Sequence, residues 1–170
     1  MKKLIVFAIA IFGFTAISFG QNPSTATANA TATVLIPISI ANNTDLAFGT
    51  FAQSAGTVTI ATTGTRTSSG VNLYTISGVT PAAASFTVTG DANSSFSIVL
   101  PANGTVSLSG PTGTGTKTMA VTSFQSNPAA GTTALVAGTK AISVGATITV
   151  AADQAVGSYT ATFPVVVNYN

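Results

Sequence analysis

The chain has 170 residues, 46% of them hydrophobic, with three acidic and five basic side chains and no His, Cys, Glu or Trp. A Ser–His–Asp set, a thiol nucleophile and the usual soft metal-ligand sets need residues that are missing, so neither an enzyme nor a resident metal or cofactor is expected. The few basic residues make no patch for nucleic acid or anionic lipid, and no disulfide can form.

The chain opens with Met1-Lys2-Lys3, followed by an apolar run from Leu4 to Ile17 broken only by Gly13 and Thr15, and then Ser18-Phe19-Gly20. A short positive start, a brief apolar stretch and small residues at its end are the marks of a secretory signal peptide. The run is too short for a membrane span with stop-transfer flanks. Residues 1–20 are therefore expected to be removed after Gly20, giving a secreted chain that is not inserted in a membrane. Loss of Lys2 and Lys3 leaves Arg66, Lys117 and Lys140 against Asp45, Asp91 and Asp153, a net charge of zero. Copies of such a chain repel one another weakly, which suits self-association.

Residues 21–33 read as an N-terminal extension. From Ala26 the even positions are Ala26, Ala28, Ala30, Ala32, Val34, Ile36, Ile38 and Ile40, while most odd positions carry Thr, Asn or Ser. This is the period of a half-buried strand. Over about sixteen residues, at ~3.3 Å each, it would reach roughly 50 Å, whereas an ordinary strand spans ~17–20 Å. Either the segment bends at Pro37 and serves twice in one domain, or its first half leaves the domain. A disordered tail is the plainer alternative for its small, polar residues.

Residues 34–170 read as one β-domain. Strands are expected at 34–40, 46–51, 56–62, 71–76, 85–89, 96–100, 105–109, 118–124, 134–137, 141–151 and 158–168. Turn signals separate them, among them Thr63-Gly64, Ser69-Gly70, Gly90-Asp91, Asn103-Gly104, Asn127-Pro128 and Ala137-Gly138. Thr, Val, Ala, Gly and Asn dominate, and helix formers such as Glu, Lys and Arg are nearly absent. The expectation is an all-β, immunoglobulin-like antiparallel sandwich. The stretch 141–151 is long for one strand, and Gly145 within it predicts a bulge or a switch between sheets.

In the last strand Tyr159, Ala161, Phe163, Val165, Val167 and Tyr169 alternate with outward-facing neighbours. No later segment is expected to pair with its edge, and an open edge is an aggregation hazard unless covered. Pro164, on the outward face, lacks an N–H and fits an edge position. The cover comes either from residues 34–40 of the same chain, closing the sandwich, or from the alternating arm of a neighbouring copy. The second route is strand addition between chains. Being head-to-tail, it builds a filament and not a closed dimer.

The two ends together resemble subunits of bacterial chaperone–usher pili. Those subunits carry a penultimate aromatic and a Gly fourteen residues from the end, which here are Tyr169 and Gly157. The body, in Leu46-Ala-Phe48-Gly49-Thr-Phe51, Phe86-Thr-Val-Thr-Gly90 and Ser143-Val-Gly-Ala-Thr-Ile-Thr-Val150, resembles an uncharacterised family related to the common-pilus (Mat-type) major subunits. The resemblance covers nearly all of the expected mature chain. It implies an incomplete sandwich completed by a neighbour's donor strand, with Ala26, Ala28, Ala30, Ala32, Val34 and Ile36 as donor residues. Gly157, Tyr159, Phe163, Val165, Val167 and Tyr169 would line the groove or meet a chaperone. It also implies a periplasmic chaperone, an outer-membrane usher and a cell-surface filament (fimbrium) contributing to adhesion or biofilm. The chain departs from many such subunits in having no disulfide and an Ala-rich arm.

A different class stays open: a secreted monomeric sandwich that binds carbohydrate or another surface ligand. Thr112, Thr114, Thr116 and Thr118 alternate, as do Thr57-x-Thr59, Thr87-x-Thr89 and Thr147-x-Thr149. Thr is also simply a good strand residue, and the aromatic residues usual in sugar sites are scarce. Asp91-Ala-Asn93 is the nearest thing to a cation site and reads as a solvated turn.

Overall fold

The computed structural model describes residues 20, 23–76 and 78–170. Apart from Gly20, the expected signal peptide lies outside them. The chain divides into two units, Met1–Thr33 and Val34–Asn170. In the first, residues 23–33 are exposed and form no strand or helix. The second holds all the strands described.

These are β1 (Ser39–Thr44), β2 (Thr50–Phe51), β3 (Gly56–Ile60), β4 (Arg66–Ser69), β5 (Leu73–Tyr74), β6 (Ala84–Thr89), β7 (Ser95–Val99), β8 (Val106–Ser109), β9 (Thr118–Asn127), β10 (Gly131–Ala134), β11 (Thr139–Val150) and β12 (Val166–Tyr169). The main sheet runs β1-β6-β11-β3-β4, with β9 on the other edge of β11 and β8 beyond it. A second sheet is β10-β7-β12, and β2 and β5 form a small ribbon. Every paired strand is antiparallel. The fold is thus an all-β antiparallel sandwich, as the periodicity predicts.

The long strand β11 organises the molecule. Its residues 139–144 pair with β6, and from Ala146 onward the same edge pairs with β3. The switch falls at Gly145, and on the opposite edge the register with β9 shifts between Gly145 and Thr147. A side chain at Gly145 would strike the Ile60 carbonyl, so the close approach of β3 needs glycine there. On the inner face Ile142, Val144, Ala146, Ile148 and Val150 are all buried.

The core has two halves. One gathers Val58, Ile60, Val121, Met119, Ile148 and Val150 between the β3, β8, β9 and β11 strands. The other packs Val88, Ile142 and Val144 of the main sheet against Phe96 and Ile98 of the second sheet. Each fully buried side chain of this size contributes ~1.5–3 kcal/mol. Leu46, Phe124 and Phe163 touch both halves, and the Phe124 and Phe163 rings lie 5.1 Å apart.

Several strands differ from expectation for local reasons. The first strand starts at Ser39, not at residue 34, because Pro37 offers no N–H to a ladder. The stretch 46–51 contributes only an Ala47–Ala82 bridge and the two residues of β2. Strand β10 ends at Ala134, because Ala137 (φ 51°) and Gly138 (φ 78°) make the tight turn into β11. Strand β4 was not expected; its Arg66-Thr-Ser-Ser lacks an apolar alternation and pairs with β3 through backbone alone. The expected strand over 158–168 shrinks to β12 plus a single Thr160–Ser109 bridge.

Candidate open groove

The shortened last strand creates the site. Among the described residues, no backbone hydrogen bond joins 161–165 to a neighbouring strand. Pro164 has no N–H to give. Strand β12 is bonded only to β7, and β1 only to β6, so each lies at an edge of its sheet, as do β10 in the second sheet and β4 and β8 in the main one. Side chains still alternate: Phe163, Val165, Val167 and Tyr169 are half-buried, and the residues between them are exposed.

Between residues 42–53 and residues 155–163 the sandwich is open. Two adjoining hollows of about 680 and 460 Å³ share Leu46, Leu108, Tyr159 and Thr160. Phe48, Phe51, Met119, Ile148 and Val150 line the larger, and Ala84, Phe86 and Phe163 the smaller. Among the described residues, Asp45 is the one charged side chain in either lining; it accepts a hydrogen bond of 2.6 Å from Asn42. The arrangement suits an uncharged, apolar occupant.

Tyr159 anchors one rim. Its ring lies on Gly110, where any side chain would overlap it. Its hydroxyl donates to the Ala155 carbonyl at 2.6 Å, with the Thr116 carbonyl at 3.2 Å as a second acceptor, and accepts from Gln154 Nε2 at 2.8 Å. Gln154 is 3% exposed. It also donates to Thr116 O, while its own carbonyl accepts from Gln53 and its Oε1 from Ala151 N. The network is satisfied, as a buried amide requires. It ties residues 151–159 to the loop before β9. Sequence reasoning missed Gln154, which carries no pattern beyond following Asp153 in a two-residue polar break between alanines.

Tyr169 lines neither hollow and ties down the end of β12. Its hydroxyl accepts from Asp91 N–H at 2.6 Å and donates to the Ile36 carbonyl at 2.7 Å. Val165 and Val167 pack on the second core half. Gly157 has φ +146°, and a side chain there would meet Pro111. Of the six arm residues, Ala26, Ala28, Ala30 and Ala32 are exposed without secondary structure, and Val34 and Ile36 are 94% and 61% exposed.

The Thr rows fare unevenly. Thr57 and Thr59 stand opposite Thr149 and Thr147, and the Thr59 and Thr147 hydroxyls bond each other at 2.8 Å. Thr87 and Thr89 lie on β6, paired to Ala141 and Thr139. Thr112 to Thr118 form no row: the first two lie in bends, Thr116 makes an isolated bridge and only Thr118 begins a strand. No cluster of three or more acidic, His or Cys residues occurs among the described residues.

An apolar groove bordered by the unladdered residues 161–163 and by Asn42 of the edge strand β1 defines a β-sandwich open along a seam. Residues 38–169 match the family model described as a domain of unknown function (DUF4402), and the chain belongs to that family. Comparison with curated proteins and with solved structures gives no match.

Proposed function

We propose that this protein is the structural subunit of a secreted surface filament, assembled head-to-tail when the arm of one copy adds a strand to the open seam of another. The observation that carries this reading is the seam itself: an apolar groove bordered by residues 161–163, which lack a ladder partner, and by Asn42 of the edge strand β1. The occupant is drawn from 26–36 of a second copy. That segment alternates apolar and polar residues, and its bulkiest members, Val34, Leu35 and Ile36, are exposed. Strand addition supplies both needs at once, with ladder bonds for residues 161–165 and alternate side chains for the groove. The zero net charge of the chain without residues 1–20 lowers the barrier to close packing of copies.

The role is structural and non-catalytic. A periplasmic chaperone holds the seam before assembly, and an outer-membrane usher exchanges it for the arm; these partners rest on the resemblance to chaperone–usher subunits. The filament serves adhesion or biofilm formation. The test is complementation. Protein lacking 1–33 stays monomeric, and a synthetic peptide of residues 24–36 binds it and raises its melting temperature. Filaments formed without the arm, or a monomer indifferent to the peptide, overturn the reading.

A further inference from the structure

The hydroxyl of Tyr169 joins two points just beyond the Ser39–Thr89 end of the β1–β6 ladder. It takes the Asp91 N–H and gives its own proton to the Ile36 carbonyl. Both partners are backbone groups, so the contact fixes a position of the chain whatever side chain it carries. The base of the contact is firm. Tyr169 pairs with Phe96 in the β12–β7 ladder. Asp91 is held by Ser94 through both its carbonyl and its carboxylate. The ring lies against Gly90, where a side chain would overlap the hydroxyl.

Immediately after Ile36, Pro37 fixes its own backbone angle, and Ile38 and Ile40 pack on the core of the same copy. Immediately before it, Val34 and Leu35 are 94% and 52% exposed. The alternation of the arm runs through Ile36 without a break, so the sequence alone does not mark where a donated strand would end. The hydrogen bond does.

We infer that Tyr169 is a positioning residue, a clamp that sets the boundary between the part of the N-terminal strand kept in its own copy and the part given away. Ile36 stays in cis, and the donated strand ends at Leu35, with Val34 its last inserted side chain. This rests on the strand-addition reading above and narrows it. One consequence is geometric. The last inserted residue lies two positions from a fixed point of its own copy, so neighbouring copies are joined by almost no free linker. Such a joint resists bending, as a short tether must.

The absence of cysteine makes the test clean. Val34→Cys or Ile36→Cys is combined with Ala161→Cys, an exposed position in the groove lining, and with Thr162→Cys as a second acceptor. Assembled protein is oxidised and run on a denaturing gel. Val34→Cys should give a covalent ladder of copies. Ile36→Cys should give none while Tyr169 is intact, and should gain one when Tyr169→Phe is added. Tyr169→Phe keeps the ring and its packing, and its melting curve checks that it folds. Ladders from both positions with Tyr169 intact overturn the clamp and leave strand addition standing. A ladder pattern that Tyr169→Phe does not change removes Tyr169 from the role. No ladder from any pair overturns both the clamp and the strand-addition reading.

Discussion

Replacing Val34 by Asp separates assembly from folding. In one copy Val34 is 94% exposed, so a charge there costs the fold little, within about 0.5 kcal/mol. On the proposed assembly the same side chain would enter a groove lined by Leu46, Phe48, Leu108 and Met119. The variant then forfeits ~1.5–3 kcal/mol of apolar burial. It also buries a carboxylate among residues that include no cation, at a further cost of several kcal/mol. Even a conservative total of about 3 kcal/mol weakens the contact more than a hundredfold. Thr33→Asp adds the same charge one residue away, on the opposite face of the arm, and should weaken the contact less than tenfold. The assay is binding of residue 24–36 peptides carrying each change to protein lacking the arm, read by fluorescence anisotropy. Equal losses for the two peptides would refute an inserted apolar face.

Other outcomes follow from the same structure. Tyr159→Phe removes the hydroxyl that serves Gln154 and Ala155 and should cost about 1–3 kcal/mol in urea unfolding, because the buried Ala155 carbonyl loses its donor. Gly110→Ala, which forces the Tyr159 ring aside, should cost a similar ~1–3 kcal/mol by overpacking. Ser126→Ala should be neutral or stabilising in the same assay, since its buried hydroxyl has no partner among the described residues. Assembly of protein lacking residues 1–20 should depend weakly on salt, because the net charge is zero and the groove is apolar; a steep salt dependence in light scattering would point to ion pairing instead.

The sandwich was legible because most strands carry a period-2 pattern with Gly, Asn or Pro at their ends. Residues 85–89, 96–100 and 105–109 came within a residue or two of β6, β7 and β8 for that reason. Gly145 marked the register shift against β9, as a missing side chain inside an apolar alternation suggests, whereas the change of partner from β6 to β3 there stays within one sheet. What failed was pairing, which depends on distant residues. Strand β4 has no alternation of its own and exists because β3 offers it an edge. Residues 161–165 keep their alternation but lack a ladder, since the pattern records which face is apolar and not whether a neighbour is present. Of the terminal stretch that the alternation singles out, Gly157, Tyr159 and Phe163 line the hollows, whereas Val165, Val167 and Tyr169 pack on the second core half. The opposite rim from Leu46 to Gln53, the buried Gln154 and the Tyr169–Ile36 contact all required the fold, because each joins residues far apart in sequence.

The central claim is that the seam of one copy is filled by the arm of another. Negative-stain electron microscopy of the purified protein lacking residues 1–20, beside the same protein lacking residues 1–33, tests it most directly. The account predicts thin unbranched filaments from the first and single particles from the second. Dispersed monomers from both preparations, or filaments from both, would contradict it.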